Sequence, residues 1–228
     1  RDRDQNLCKF EANSGLFNED LRKFWPISAF PQQNHPKSDR LLAEAPGREP
    51  LYFYPGTASH QREMAWLAPV VKAVQSRVPG ARFDIFGKSR LVRLFSGIPG
   101  VRVLPPMPWP EFLQYSCRHR YAVGLAPLFD TPFNLARSHN KFFDITRCGA
   151  AGIYSDVGAF RDWVVDDKTG LLRSNDMDDW VAAICDLLTH PEKRLRLYRG
   201  ALAQCRVLSS GGSWNTSGHR LYLSGPTI

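Results

Sequence analysis

From residue 50 onward, short apolar runs alternate with longer stretches in which apolar residues return every three or four positions. The runs LYFY (51–54), ARFDIFG (81–87), VRVL (101–104), YAVGLAPL (121–128), AGIYS (151–155) and TGLLR (169–173) predict strands, because β-branched and aromatic residues gather there between turn formers. The near-continuous apolarity of 121–128 suits a strand covered on both faces. In 64–78, Trp66, Leu67, Val70, Val71, Val74 and Val78 recur at the helical interval, with Pro69 bending the helix or marking its first turn and Pro79-Gly80 closing it. Further helices are predicted over 110–119, where Pro110 suits N1, and over 138–148, 160–165, 176–188 and 191–208.

Strands alternating with helices through short connections imply right-handed crossovers and a parallel sheet with helices on both faces. The expectation is a doubly wound, Rossmann-like α/β domain of about six strands, spanning 49–208. Residues 1–48 hold Pro26, Pro31, Pro36, Pro46 and the polar run PQQNHPKSDR, and read as a helix over 18–25 followed by an irregular linker. The Gly- and Ser-rich tail, 209–228, reads as flexible. The start RDRDQNLCKF has neither an initiator Met nor an apolar signal core, so a piece of a longer chain is expected.

Hydrophobic residues at 43% and charged residues at 23% exclude wholesale disorder and a fibrous repeat. The longest apolar stretch, YAVGLAPLF, falls far short of the roughly 20 residues that cross a bilayer. Five cysteines, scattered and never arranged as CxxC, argue against a disulfide framework and against a zinc site, and point to a reducing cytosol. Thirty Lys and Arg against 22 Asp and Glu leave a net charge of +8. That surplus suits nucleic acid, acidic lipid headgroups or a phosphorylated small molecule, or else a solvated surface.

In open parallel sheets, ligands bind beyond the carboxyl ends of the strands. The loop PGTASHQRE (55–63) offers Gly56 for close backbone approach and Thr57, His60 and Arg62 as donors. It lacks both GxxxxGK[ST] and GxGxxG, which removes the main support for ATP or NAD. FGKSR (86–90) adds Lys88 and Arg90, and LPPMPWP (104–110) is a rigid apolar wall in which packing is the plainer role for Trp109.

The fourth loop leads into ARSHNKFFD. Ser138 is a good N-cap, yet Arg137, His139 and Lys141 crowd the same helix end. That end carries about half a positive charge, and each cation there costs up to about 1 kcal/mol. Such crowding calls for an anion. Asp144 lies one turn beyond Lys141 on the same face; beside a phosphate it must address another part of the ligand, and sugar hydroxyls are the natural partner. Phosphate outside and ribose inside describe a nucleoside diphosphate. The plainer alternatives are an ordinary loop histidine at His60, and ion pairs of Lys141 or Arg137 with Asp144 or Asp130. In the last helix, Lys193, Arg194, Arg196, Arg199 and Arg206 form either a solvated face or a surface for anionic lipid.

Taken in order over about residues 50–205, GTASHQRE, DIFG, APLFDTPFN, ARSHNKFFD, GAAGIYSDVGAF and VVDDKTGLL resemble the landmarks of the nucleotide-sugar-binding, C-terminal half of retaining GT-B glycosyltransferases, the family 4-like group 1 enzymes. The resemblance implies that basic side chains and backbone N–H groups hold the donor's diphosphate. Gly56, Thr57, His60 and Arg62 match its first-loop contacts, Lys88 the basic residue after the second strand, and Asn134, Arg137, Ser138 and Lys141 the donor loop. Asp144 stands where the family usually has a ribose-binding Glu. Many relatives carry two Glu with seven residues between them, and Ala136 occupies the first of those positions here. The family's N-terminal Rossmann domain, which binds the acceptor, has no counterpart in this sequence.

The expectation is therefore a hexosyltransferase donor domain for a UDP- or GDP-linked sugar, serving a glycan or lipid-linked acceptor as in polysaccharide biosynthesis, and inactive without its N-terminal partner domain. Arg62, Lys88, Lys141 and the helix tip at Ser138 would stabilise the departing diphosphate. No metal and no cofactor are expected, and no catalytic residue is assigned. The expected location is the cytoplasm, with peripheral contact at the inner membrane face. A nucleotide-sugar epimerase half-domain is one rival. A non-catalytic basic module for nucleic acid or anionic membrane is another, although nucleic acid is not the expected partner.

Overall fold

The computed structural model describes residues 50–56, 60–131, 134 and 139–209. The helix and linker expected over 1–48, and all of the expected tail except Ser209, lie outside the described residues.

Alternation along each apolar run sends successive side chains to opposite faces. In β1 (Leu51–Tyr54), Tyr52 and Tyr54 join one core and Phe53 the other. With β2 (Arg82–Phe86), β3 (Val101–Leu104), β4 (Val123–Ala126), β5 (Ala151–Ser155) and β6 (Leu171–Arg173), it builds a single parallel sheet in the order β3-β2-β1-β4-β5-β6. This is the doubly wound topology expected from the alternating elements. The order reverses between β1 and β4, which pair directly through Phe53 and Gly124. A crevice at the carboxyl ends of those two strands is the natural ligand position in such a sheet.

The helices are α1 (Gln61–Arg77), α2 (Ser89–Leu94), α3 (Trp109–Arg118), α4 (Asn140–Arg147), α5 (Gly158–Arg161), α6 (Met177–Thr189) and α7 (Pro191–Ser209). α1 starts three residues before its apolar periodicity, at Gln61, because its first turn is polar. Pro69 lies inside α1 on the exposed side, where the carbonyl deprived of its N–H partner faces solvent. α2 falls where a loop was expected; six residues are too few to display a helical period. α5 occupies 158–161 rather than 160–165. Asp176 caps α6, accepting from the Asp179 backbone N–H at 2.9 Å.

α1 and α6 cover one face, setting Leu67, Val71, Trp180, Ile184 and Leu187 against Tyr52, Phe83, Ile85, Val123 and Ile153. α4 and α7 cover the other, with Phe142, Phe143, Ile145, Tyr198 and Cys205 against Phe53, Ala126 and Tyr154. Phe142 is fully buried, and its truncation to Ala would cost about 3–5 kcal/mol. α4 sits directly on β4 because residue 124 is Gly: a Cβ there would lie 2.6 Å from both Cγ atoms of Ile145.

The basic residues of α7 work partly inside the fold. Lys193 pairs with Asp186 at 2.7 Å, Arg194 donates to the carbonyls of Leu187 and Leu188 at the end of α6, and Arg196 clamps the Asp167 turn through its carboxylate and carbonyl. No described helix is long and apolar enough to cross a membrane.

Candidate functional site

Two loops meet at the crevice, one leaving β1 and one leaving β4. After Tyr54 the chain turns tightly, Gly56 N–H donating to the Tyr54 carbonyl at 2.8 Å. A Cβ on Gly56 would come within 2.5 Å of the Tyr54 ring, so only glycine lets the backbone lie flat on that ring. His60 then occupies the N-cap of α1, buried at 3% exposure. The loop after β4 is anchored from behind. Leu128 N–H donates to Ser155 Oγ at 2.8 Å, Ser155 Oγ donates to Asn175 Oδ1 at 2.6 Å, and Asn175 Nδ2 donates to the Leu128 carbonyl at 2.9 Å.

A chain of polar contacts joins the two loops. Lys141, in the first turn of α4, places Nζ 3.2 Å from His60 Nε2 and 5.6 Å from the centroid of the Tyr54 ring. An ammonium offers only hydrogens, so Nε2 accepts and the ring proton resides on Nδ1, which lies 3.7 Å from Glu63 Oε2. Asn134 Nδ2 donates to Glu63 Oε1 at 3.1 Å and to the Phe129 carbonyl at 2.9 Å. Burial opposes ionisation of Glu63. The neighbouring His60 ring, its own backbone N–H and the hydrogen bond from Asn134 outweigh it and hold the carboxyl down at about 2. Arg62 completes the bridge from the exposed side, its guanidinium 4.7 Å from the centroid of the Phe129 ring.

One turn further along α4, Asp144 is buried and pairs with Arg147, Nη2 to Oδ1 at 2.5 Å. Burial holds the Asp144 carboxyl above the usual carboxylate range, although Arg147 and then Lys141 oppose the rise. The i,i+3 ion pair on this face is therefore Asp144 with Arg147 rather than Asp144 with Lys141. The helix also begins later than its sequence suggests. α4 starts at Asn140 with His139 at the N-cap, not at Ser138. His139 does not add to the cationic cluster. It is buried against the face of Trp163, and burial pushes its pKa down to about 3.

Of the residues singled out from sequence, Gly56, His60 and Asn134 lie on the two loops, Arg62 in the first turn of α1, and Lys141 and Asp144 on α4, all at this crevice. Thr57, Arg137 and Ser138 lie outside the described residues. Lys88 stands apart, exposed at the N-cap of α2 one strand away, and shares no ion pair with the others among the described residues. Both Nδ2 hydrogens of Asn134 are engaged within the protein, which makes it a tie between the loops. Sequence reasoning passed over Glu63, Tyr54 and Arg147. Glu63 follows His60, and Arg147 follows Asp144, by three residues on a helix, the one signal available for either.

A profile of the glycosyl transferases group 1 family matches residues 49–190, more than half of the chain. No curated protein matches at a significant level. Among solved structures, a sucrose-phosphate synthase from Thermosynechococcus elongatus superposes with a TM-score of 0.58 at 19% identity, over 80% of this chain and 46% of that one. HepE from Anabaena, in complex with UDP and glucose, gives 0.55 at 11% identity over 78% and 49%. The C-terminal domain of a glycosyl transferase group 1 family protein (LpcC) from Francisella tularensis gives 0.54 at 12% identity over 78% and 94%. The chain thus spans about half the length of the first two and nearly all of the third. It belongs to the glycosyl transferases group 1 family, and the domain has the fold of the C-terminal half of a GT-B glycosyltransferase.

Proposed function

We propose that the domain binds a nucleoside-diphosphate sugar at the β1/β4 crevice and presents it for transfer to a glycan or lipid-linked acceptor held by a second, N-terminal domain. The observation that carries this reading is Lys141 held against His60 beside the Gly56 turn, where an ammonium, a flat stretch of backbone and the N-termini of α1 and α4 share one rim. Helix N-termini attract phosphate, and a lysine supplies the point charge. The diphosphate lies on this rim, and Asp144, one turn deeper, accepts from the ribose hydroxyls. As the sugar leaves, negative charge grows on the diphosphate, and Arg62, Lys141 and the first turn of α4 stabilise it.

UDP is the first nucleotide to try, since it is the one bound to HepE. The family assignment favours a transferase over the epimerase alternative. Calorimetry with UDP and GDP on the whole chain tests the proposal: heat that saturates with ligand supports it, and none at millimolar concentration contradicts it. The chain by itself is expected to transfer little or no sugar. Turnover of donor without any added partner domain would overturn that part.

A further inference from the structure

Among the described residues Arg147 is the only buried Lys or Arg, with 0% exposure. Burying a cation costs several kcal/mol unless its partners compensate, and an apolar residue in such a place is often no less stable. The compensation here is incomplete. Nη2 reaches Asp144 Oδ1 and Nε donates to Ser116 Oγ at 3.0 Å, while Ser116 Oγ donates onward to the Leu113 carbonyl at 2.9 Å. Nη1 is buried without a hydrogen-bond partner, and the guanidinium carbon stands 5.5 Å from the centroid of the Trp109 ring. Stability alone gives little reason for an arginine at this position. Its ion-pair partner does: the Asp144 side chain keeps 12% exposure, on the helix that also carries Lys141.

We propose that Arg147 is a positioning residue for Asp144, gripping Oδ1 from inside so that the other carboxylate oxygen is presented to the sugar hydroxyls of a bound nucleoside. This rests on the donor-site reading above. Among the described residues Oδ2 accepts no hydrogen bond, so it has capacity for a ligand hydroxyl. The surrounding charges agree. Along α4, Arg147 and Lys141 are the cations that act on Asp144, and Lys141 is already engaged by His60. From β5, the Tyr154 hydroxyl faces the carboxylate, and the Cys148 thiol does so at the end of α4; burial pushes both upward, so they stay neutral. Arg120 donates to the Arg147 carbonyl and Cys205 of α7 lies near the guanidinium, its thiol also pushed up by burial. Arg147 is thus the principal counter-charge to Asp144.

The test compares Arg147→Met and Arg147→Lys with wild type in the full chain, titrating UDP, uridine and inorganic pyrophosphate by calorimetry between pH 5 and pH 8, with circular dichroism to verify folding. Arg147→Met should weaken UDP and uridine by about tenfold or more while leaving pyrophosphate within about twofold. The loss should grow as pH falls, because Asp144 then protonates more readily, and Arg147→Lys should recover part of it. Should Arg147→Met not fold, Arg147→Lys carries the comparison, with the same selective but smaller loss of uridine. Equal losses for uridine and pyrophosphate, or unchanged affinities with an unchanged pH profile, overturn the role of Arg147. A wild-type chain that binds none of the three ligands contradicts the donor site itself.

Discussion

Lys141 Nζ lies 3.2 Å from His60 Nε2, joining the first turn of α4 to the N-cap of α1 across the switch point of the sheet. The contact has a direction. Lysine donates, histidine accepts, and behind the histidine Glu63 and Asn134 extend the line to the loop after β4. An arriving phosphate meets an ammonium already held at the rim, which lowers the conformational entropy lost when a lysine side chain is ordered.

Lys141→Ala removes that charge at a half-buried helix tip, outside both hydrophobic cores. A hydrogen bond to a charged group is worth about 1.5–3 kcal/mol, so UDP affinity should fall roughly tenfold to a hundredfold. Uridine, which has no phosphate, should lose far less. Calorimetry on both ligands checks this, and equal losses would separate Lys141 from the phosphate.

Asn134→Ala deletes two donors, one to the Glu63 carboxylate and one to the Phe129 carbonyl. Leaving those acceptors unsatisfied should destabilise the fold by about 1.5–3 kcal/mol, measured as a shift of the urea midpoint at constant slope. A change within about 0.5 kcal/mol would mean that the tie carries no weight.

His139 sets a pH window. Its folded pKa is down to about 3 against an ordinary value of 6.5, so between those values the unfolded chain binds the extra proton. Stability is therefore complete above about pH 6.5 and declines as pH falls, at up to about 1.4 kcal/mol per pH unit. Glu63 adds to the decline only below its ordinary value of 4.5, and Asp144, with its raised pKa, acts in the opposite sense. Urea midpoints at pH 7.5 and pH 5 should differ more for wild type than for His139→Phe, the difference isolating His139. Identical pH dependence in the two proteins would contradict a buried neutral imidazole.

Gly124→Ala probes how the fold sets the site. The added methyl would lie 2.6 Å from Ile145, a close overlap between strand and helix that costs about 1–3 kcal/mol. Lys141 and Asp144 both ride on α4, so UDP binding should weaken together with the melting temperature. A variant that loses stability yet binds UDP as tightly as wild type would show that the site tolerates movement of α4.

The sheet was legible because each strand is an apolar run bounded by turn formers, and the alternating helices left one economical topology. α2 was not, since its buried anchors are Leu91 and the C-cap Phe95 and six residues hold no period. Within the site, Lys141, His60 and Asp144 stood out as charged or titratable residues near helix ends. Their partners did not. Glu63 resembles any acid in a first helical turn, and the meeting of Asn134 with it, 71 residues away, exists only once β1 and β4 are neighbours. His139 misled for a related reason: a histidine beside lysine and arginine reads as a cation until Trp163, from beyond β5, is packed on its face.

The most direct measurement is an amide chemical-shift titration of the isotope-labelled chain with UDP. The account predicts saturating shifts concentrated at Gly56, His60, Lys141 and Asp144, with little change along β3 or at the end of α7. Shifts that scatter over the basic surface and vanish with added salt, or that leave the Gly56 turn and α4 unmoved, would contradict it.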